Sequence, residues 1–371
     1  MSFFSDYVSV VANAIEADFE DNFDEARFGP KPKDLGRKTL PKLLAKVGFF
    51  SKDEARQVVQ SALMFAEPYM KELEWIHSKL SDSESRYLLV QLTAFRALGH
   101  RRIKLPTNCP EHWKWLETAE KLFVGGEQIE SGFMGWKLTK ADFSSIGYPI
   151  KMFFTPLGVV IDYIEQQYRC VTSNGSIVCT DGDYVIDAGG CWGDTALYFA
   201  HLAGPKGRVA SFEFLPSNLE IFEKNVALNP ELSHRIRLFR NAVWSRSGEK
   251  LEVTERGPGT SVAPGTSIEL PANSPKGSSI ETMCIDDVVN QDFERVDFIK
   301  MDIEGSELEA LRGAEAVLKK FKPKLAITVY HNFEDYWTIP QYIESLGLGY
   351  RFYLRHFTIH AEETVLFARV E

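Results

Sequence analysis

Hydrophobic positions change their spacing partway along the chain. Over roughly the first 150 residues they recur at helical intervals. Ser51-Lys-Asp-Glu54 has the spacing of a capping box, and the helix it opens is expected to kink or stop near Pro68. A second predicted helix carries Leu88, Leu92 and Phe95 on one face and ends at Gly99. A third follows Pro110, with Trp113, Leu116 and Phe123 as its apolar side. The basic run His100-Arg-Arg-Ile-Lys104 between them reads as a solvated helix end ahead of a phosphate site.

From Asp183 onward, short apolar runs alternate with helical ones. Strands are predicted at Tyr184–Asp187, Arg208–Phe212, Ile236–Phe239, Val296–Met301 and Leu325–Val329. The helices between them present Ala196, Phe199, Ala200 and Ala203, then Leu219, Phe222 and Val226 after Pro216, then Leu308, Leu311, Ala314 and Leu318. Such alternation implies an α/β fold, a parallel sheet covered by helices on both faces. The last two runs, Tyr350–Leu354 and Thr364–Ala368, predict an antiparallel hairpin closing the sheet. The chain thus divides into a mainly helical domain over 1–150, for substrate presentation or oligomerisation, a connecting segment over 151–180, and the α/β domain over 181–371. Within the last, Arg256 to Ser279 is rich in Gly, Pro, Ser and Thr, lacks periodicity, and reads as a substrate-side loop.

A length of 371 residues fits two domains, and a net charge of -10 disfavours nucleic acid and anionic membranes as partners. The five cysteines are scattered and never spaced as CxxC, so neither a disulfide framework nor a zinc site is expected. The start lacks the pattern of a secretory signal, and no run approaches the ~18 apolar residues of a membrane span. These features fit a cytoplasmic protein.

The strongest local chemistry is Asp187-Ala-Gly189-Gly190-Cys-Trp-Gly193-Asp194, after a strand and before a helix. Glycines there let backbone approach a ligand at the carboxyl end of the sheet. A dinucleotide site would want G-x-G-x-x-G, but the first and third of those positions hold Asp187 and Trp192. An aspartate repels a pyrophosphate and attracts a cationic amino group, which points away from NAD and towards S-adenosylmethionine. Glu213 ends the second strand, where a carboxylate accepts hydrogen bonds from ribose hydroxyls, and Asn241-Ala242-Val243 follows the third, where an adenine would sit. A turn containing an Asn is an equally good reading of the last.

Four segments together, DAGGCWGDTALYFA, SFEFLPSNLEIFEKN, VDFIKMDIEGSELEALRGAE and KPKLAITVYHNFEDYWTIPQYI, resemble the FkbM family of S-adenosylmethionine-dependent methyltransferases over about residues 180–371. The resemblance implies a Rossmann-like class I methyltransferase sheet of seven strands, with an antiparallel C-terminal strand, and O-methylation, commonly of sugar hydroxyls in glycans, polysaccharides or glycosylated natural products. It places Asp187, Gly189, Gly190 and Gly193 on the amino-acid part of the cofactor, Glu213 on the ribose, and Asn241 and Ala242 near the adenine.

A sugar hydroxyl is a weak acid, so methyl transfer to it calls for a base or a charge-stabilising group. Strand periodicity would put Lys300, Asp302 and Glu304 on one face at the carboxyl edge, with Glu307 opening the next helix. His331, after the fifth strand, can face the same cleft as base or ligand. Asp302, His331 and Glu304 are therefore the expected catalytic residues. The competing reading has Lys300 neutralising a carboxylate while Glu304 and Glu307 offset the helix dipole. Asp302, Glu304 and His331 also offer two oxygens and a nitrogen to a divalent cation, but the spacing is unspecific and no metal is assigned from it. His356 reads as structural, and Tyr330, Phe333, Tyr336 and Trp337 read as core ahead of a sugar-stacking surface. A non-catalytic scaffold on the same fold, and an NAD-dependent oxidoreductase, are the alternatives.

Overall fold

The computed structural model describes residues 2–25, 29, 31, 52–132, 135–173, 175–254, 261–263, 279–291 and 293–371. The chain divides into two compact units, residues 1–113 with 354–364 and residues 114–353 with 365–371. The division falls earlier than the change in hydrophobic spacing suggests. Short strands at Gln128–Glu130, Lys137–Asp142 and Lys151–Phe154 pair antiparallel within the second unit.

In the N-terminal unit, helices Phe3–Glu16, Lys52–Ala66, Met70–Lys79 and Ser83–Leu98 bury Phe3, Tyr7, Ala62, Leu73, Leu88 and Leu92. The second stops at Ala66, and a single 3-10 turn over Glu67–Tyr69 absorbs Pro68. Gly99 ends the Ser83–Leu98 helix with φ of +77°, a conformation suited to glycine. Ser51 of the expected capping box lies outside the described residues. The basic run is used internally: Arg101 pairs with Asp18, and Arg102 pairs with Glu54 and donates to the carbonyls of Ile15 and Ala17. The helix Pro110–Leu122 departs from expectation, because Trp113 is 38% exposed while His112, Ala119 and, just beyond the helix, Phe123 are buried.

The largest sheet has seven strands: β1 (Tyr184–Ala188), β2 (Arg208–Phe212), β3 (Ile236–Phe239), β4 (Phe298–Met301), β5 (Lys324–Thr328), β6 (Tyr350–His356) and β7 (Thr364–Val370). They lie in the order β6-β7-β5-β4-β1-β2-β3. Strands β1 to β5 are parallel, and β7 runs antiparallel to β5. The central strands are buried apolar runs, as parallel strands covered on both faces must be. Order reverses between β1 and β4, so a crevice opens outside their carboxyl ends.

Helices α1 (Asp194–Leu202), α2 (Pro216–Ala227), α3 (Glu307–Arg312), α4 (Glu315–Phe321) and α5 (Asp335–Ser345) complete this layer. A single helix after β4 is expected, but the segment breaks at Gly313 and Ala314 into α3 and α4. A second sheet joins Ser261–Ala263, Lys250–Thr254, Ser279–Met283 and Ala242–Val243 in that order. Residues 261–263 of the expected loop are therefore strand, while 256–260 and 264–278 lie outside the described residues.

Amide side chains of α2 and the turn after it finish the edge of the Lys151–Phe154 strand. Asn225, fully buried, accepts from the Phe153 amide and donates to the carbonyls of Phe153 and Trp192. Asn229 does the same for Lys151. Replacing Asn225 strands three buried backbone groups, including one in the glycine loop. Asn225→Leu is expected to lower unfolding stability by about 2–4 kcal/mol, read as a fall in urea midpoint; an unchanged midpoint would show that these bonds are dispensable.

Candidate active site

After β1 the chain turns through Gly189–Gly193 into α1. Gly189 has φ of +92°, and a Cβ built on it would stand 1.9 Å from the Asp302 carbonyl oxygen. A Cβ on Gly190 would stand 2.3 Å from Ser211 Oγ, and Gly193 enters α1 with φ of +83°. The loop is thus pressed against the ends of β4 and β2 more closely than a side chain allows.

Asp187 is expected to face a cofactor; in the structure its side chain is bonded within the sheet. Its register neighbours are Lys300 on β4 and Ser211 on β2, so all three stand in one row across the sheet. Asp187 is fully buried; Oδ1 accepts from Thr195 Oγ1 at 2.8 Å and lies 3.2 Å from Lys300 Nζ, and Oδ2 accepts from Ser211 Oγ at 2.7 Å. Its charge is matched inside the protein, so its attraction for a cationic amino group gives no ground for preferring one cofactor to another. Burial alone would lower the Lys300 ammonium, yet the charges of Asp187, Asp302 and Asp194 hold it above its ordinary range. Nζ also donates to Gly189 O at 2.6 Å and Ala188 O at 3.3 Å. Lys300 therefore lies under the glycine loop, and does not share a cleft face with Asp302 and Glu304 as strand periodicity suggests. The strand ends at Met301, and Glu304 turns back with φ of +56°.

The crevice at the sheet's switch point is lined by Gly189, Cys191, Phe212 to Leu215, Asn218, Asn241 to Val243, Asp302 to Glu304, and Ser306. Of the residues expected around a cofactor, Gly189, Glu213, Asn241 and Ala242 line it. Asp187, Gly190 and Gly193 do not, and shape the loop from behind. Glu213 is 7% exposed. Its Oε1 accepts from the amides of Phe214 and Leu215, and its Oε2 accepts from Asn218 Nδ2 at 3.1 Å. Burial pushes this carboxyl up from its usual range, and the hydrogen bonds from Leu215, Asn218 and Phe214 pull against that rise. Asn241 donates to Glu281 O, fixing the turn into the Ala242–Val243 strand.

At the other side of the crevice, Asp302 accepts from Tyr168 Oη at 3.2 Å and Tyr330 Oη at 3.3 Å. His331 gathers the remaining carboxylates: Nε2 lies 3.5 Å from Asp302 Oδ1 and 3.4 Å from Glu304 Oε2, and Nδ1 lies 3.1 Å from Glu307 Oε1. Glu307 is fully buried and accepts from the Ile303 amide and Thr328 Oγ1. It does more than offset a dipole. Burial would lower the His331 imidazole, but Glu307, Glu304 and Asp302 raise it well above its usual range; burial likewise would raise Glu307, which His331 instead holds below its own.

Asp302 and Glu304 thus line the crevice, and His331 stands against both. Tyr336 and Trp337 are buried as expected of core, while Tyr330 reaches Asp302. His356 is half-buried in the N-terminal unit with Nδ1 2.9 Å from Thr364 Oγ1, a structural contact. Asn218 and Tyr168 are the site residues that sequence reasoning missed. The first lies within the helix opened by Pro216, where it reads as an ordinary polar position, and the second falls in a segment without periodicity.

The buried row gives a direct test. Lys300→Met leaves Asp187 without its counter-charge and is expected to cost about 3–5 kcal/mol of unfolding free energy, with part recovered in Lys300→Met/Asp187→Asn. Equal losses in the single and double variants, measured by denaturant titration, would refute the pairing.

Residues 174–352 match the family model described as the Methyltransferase FkbM domain. Among solved structures, the chain is similar to methyltransferase FkbM from Methylobacillus flagellatus KT, with a TM-score of 0.52 and 18% identity over 89% of this chain and 69% of that one. It also matches fibrillarin of Aeropyrum pernix, solved with natively bound S-adenosyl-L-methionine, at a TM-score of 0.35 and 12% identity over 66% of this chain and 83% of that one. No curated protein matches the sequence. At 18% identity the likeness to the Methylobacillus flagellatus protein is one of fold. The matched stretch contains the glycine loop, Glu213 and the whole carboxylate cluster, so residues 174–352 are the part of the chain similar to the FkbM methyltransferase domain.

Proposed function

We propose that the protein is an S-adenosylmethionine-dependent O-methyltransferase whose acceptor is a sugar hydroxyl of a glycan, polysaccharide or glycosylated metabolite. The observation that carries this reading is the placing of Glu213 and Asp302 in one crevice, on either side of the glycine loop. The crevice suits the cofactor's parts. Gly189 presents bare backbone, Glu213 keeps acceptor capacity on Oε2 beyond its single bond from Asn218, and Phe214, Leu215 and Ala242 offer an apolar surface to a purine. When bound, S-adenosylmethionine supplies a methyl group on a positively charged sulfur and leaves as the neutral thioether.

The chain's own residues then have to hold the acceptor and take up its proton. Asp302 is the proton acceptor in this reading, because it lines the crevice and its carboxylate is oriented by Tyr168 and Tyr330. His331 Nε2 stands 3.5 Å from Asp302 Oδ1 and 3.4 Å from Glu304 Oε2 and holds the two carboxylates together at the crevice. Glu307 Oε1 lies 3.1 Å from the other ring nitrogen. The sugar itself is supported by the family resemblance alone. No helix among the described residues is long and apolar enough to cross a membrane.

Ligand-dependent melting tests the cofactor. S-adenosylhomocysteine at about a hundred times its dissociation constant should stabilise the protein by about 2.7 kcal/mol, and NAD should not. Glu213→Ala should weaken that stabilisation. Asp302→Asn should keep it while lowering turnover by about 10²- to 10⁴-fold, measured with labelled methyl donor on a panel of sugars, nucleotide sugars and lipid-linked glycans. A shift with NAD, or full turnover in Asp302→Asn, would overturn the assignment; no shift with either ligand would favour a scaffold.

A further inference from the structure

Three carboxylates converge on one imidazole at the mouth of the crevice. Asp302, Glu304 and Glu307 carry three negative charges against the single positive charge that His331 holds when protonated. The Lys300 ammonium behind the glycine loop also feels Asp302, so part of this charge is met from inside the protein. Tyr168 and Tyr330 add hydrogen bonds to Asp302 but no charge.

Geometry singles out three of the four groups. One ligand atom each from Asp302, Glu304 and His331 lie within 4.8 Å of one another. The His331 side chain is 8% exposed and neither ring nitrogen has a hydrogen bond of acceptable geometry, although Nε2 lies within 3.5 Å of both Asp302 Oδ1 and Glu304 Oε2. Those separations, 3.5 and 3.4 Å, are long for hydrogen bonds. They are close to the spacing of about 3 Å between neighbouring ligands of an octahedral cation with bonds of about 2.1 Å. Nδ1 lies 3.1 Å from Glu307 Oε1, within reach of a carboxylate that would orient a metal-bound histidine through its second nitrogen.

We propose that Asp302, Glu304 and His331 bind a divalent cation of the Mn²⁺ class, with Glu307 as the outer carboxylate that sets the His331 tautomer. Two carboxylate oxygens and an imidazole suit a borderline cation such as Mn²⁺ better than Mg²⁺, which favours oxygen alone. The cation takes the place of the proton on Nε2. Three protein ligands leave positions open towards the crevice that Asp302 and Glu304 line, where an acceptor oxygen can bind and become more acidic. This rests on the methyltransferase reading only for its role in catalysis; binding is independent of it.

The test uses the full-length protein, stripped with EDTA and desalted, titrated with Mn²⁺ and followed by the electron paramagnetic resonance of the free ion. The expected result is saturable binding of a single Mn²⁺ per chain, with nitrogen spin-echo modulation from an imidazole ligand. Glu304→Gln, a half-exposed position, should weaken binding by about tenfold or more, and His331→Gln should abolish the modulation. Glu307→Gln should weaken binding by about tenfold with the modulation retained. Melting with S-adenosylhomocysteine is measured on the same samples. Absence of Mn²⁺ binding, or binding indifferent to Glu304→Gln and His331→Gln, would overturn the cation site. If Mn²⁺ binds as expected but S-adenosylhomocysteine gives no stabilisation, the cation site stands and the methyltransferase reading falls.

Discussion

A single buried row, Lys300–Asp187–Ser211 across β4, β1 and β2, underlies the architecture of the site. An aspartate with no exposure is tolerable only when its charge and lone pairs are met, and here an ammonium and two hydroxyls meet them. The row ties the three central strands to α1 through Thr195. It also leaves Lys300 with protons to spare, which it gives to the carbonyls of Gly189 and Ala188. The glycine loop is thereby held down on β4 by a charged group from below, while its glycines permit the close approach from above. Loop conformation and sheet cohesion have one cause.

With the loop fixed there, what remains exposed at the carboxyl edge is set by where the strands end. β2 delivers Glu213, whose carboxylate is pinned by the next two amides and Asn218. β4 delivers Asp302, and the left-handed residue Glu304 brings the chain back so that both carboxylates meet His331. The crevice is accordingly asymmetric, with a single carboxylate on the β2 side and a dense acidic cluster on the β4 side. That polarity matches a reaction in which one end of the cleft grips a nucleoside and the other handles a proton or a cation.

Much of this was legible in the sequence, because parallel strands buried on both faces read as unbroken apolar runs and Gly and Pro punctuate the helices. The strands around Tyr184, Arg208, Ile236, Phe298 and Leu325, the Pro68 interruption and the end at Gly99 follow from such local signals. The short strands of Gln128–Glu130 and Lys250–Thr254 do not, since an alternation over only three to five residues has too few repeats to stand out. Trp113 shows the opposite failure, an aromatic at helical spacing left at the surface while His112 takes the inward place. Asp187 was legible as a residue of the glycine-loop region, but its partners within the sheet were not. Spacing along the chain shows a carboxylate before a glycine loop, but only strand register shows that Lys300 and Ser211 flank it. Likewise Glu307 and His331 stand 24 positions apart in sequence, and only the adjacency of β4 and β5 brings them together.

A crystal structure with S-adenosylhomocysteine bound examines the link between buried row and open crevice most directly. The ribose hydroxyls should rest on Glu213, the amino-acid portion should run along Gly189, and Asp187 should still be bonded to Lys300, Ser211 and Thr195. A ligand lodged elsewhere, or an Asp187 carboxylate released from the row to grip the ligand's ammonium, would contradict this picture of the site.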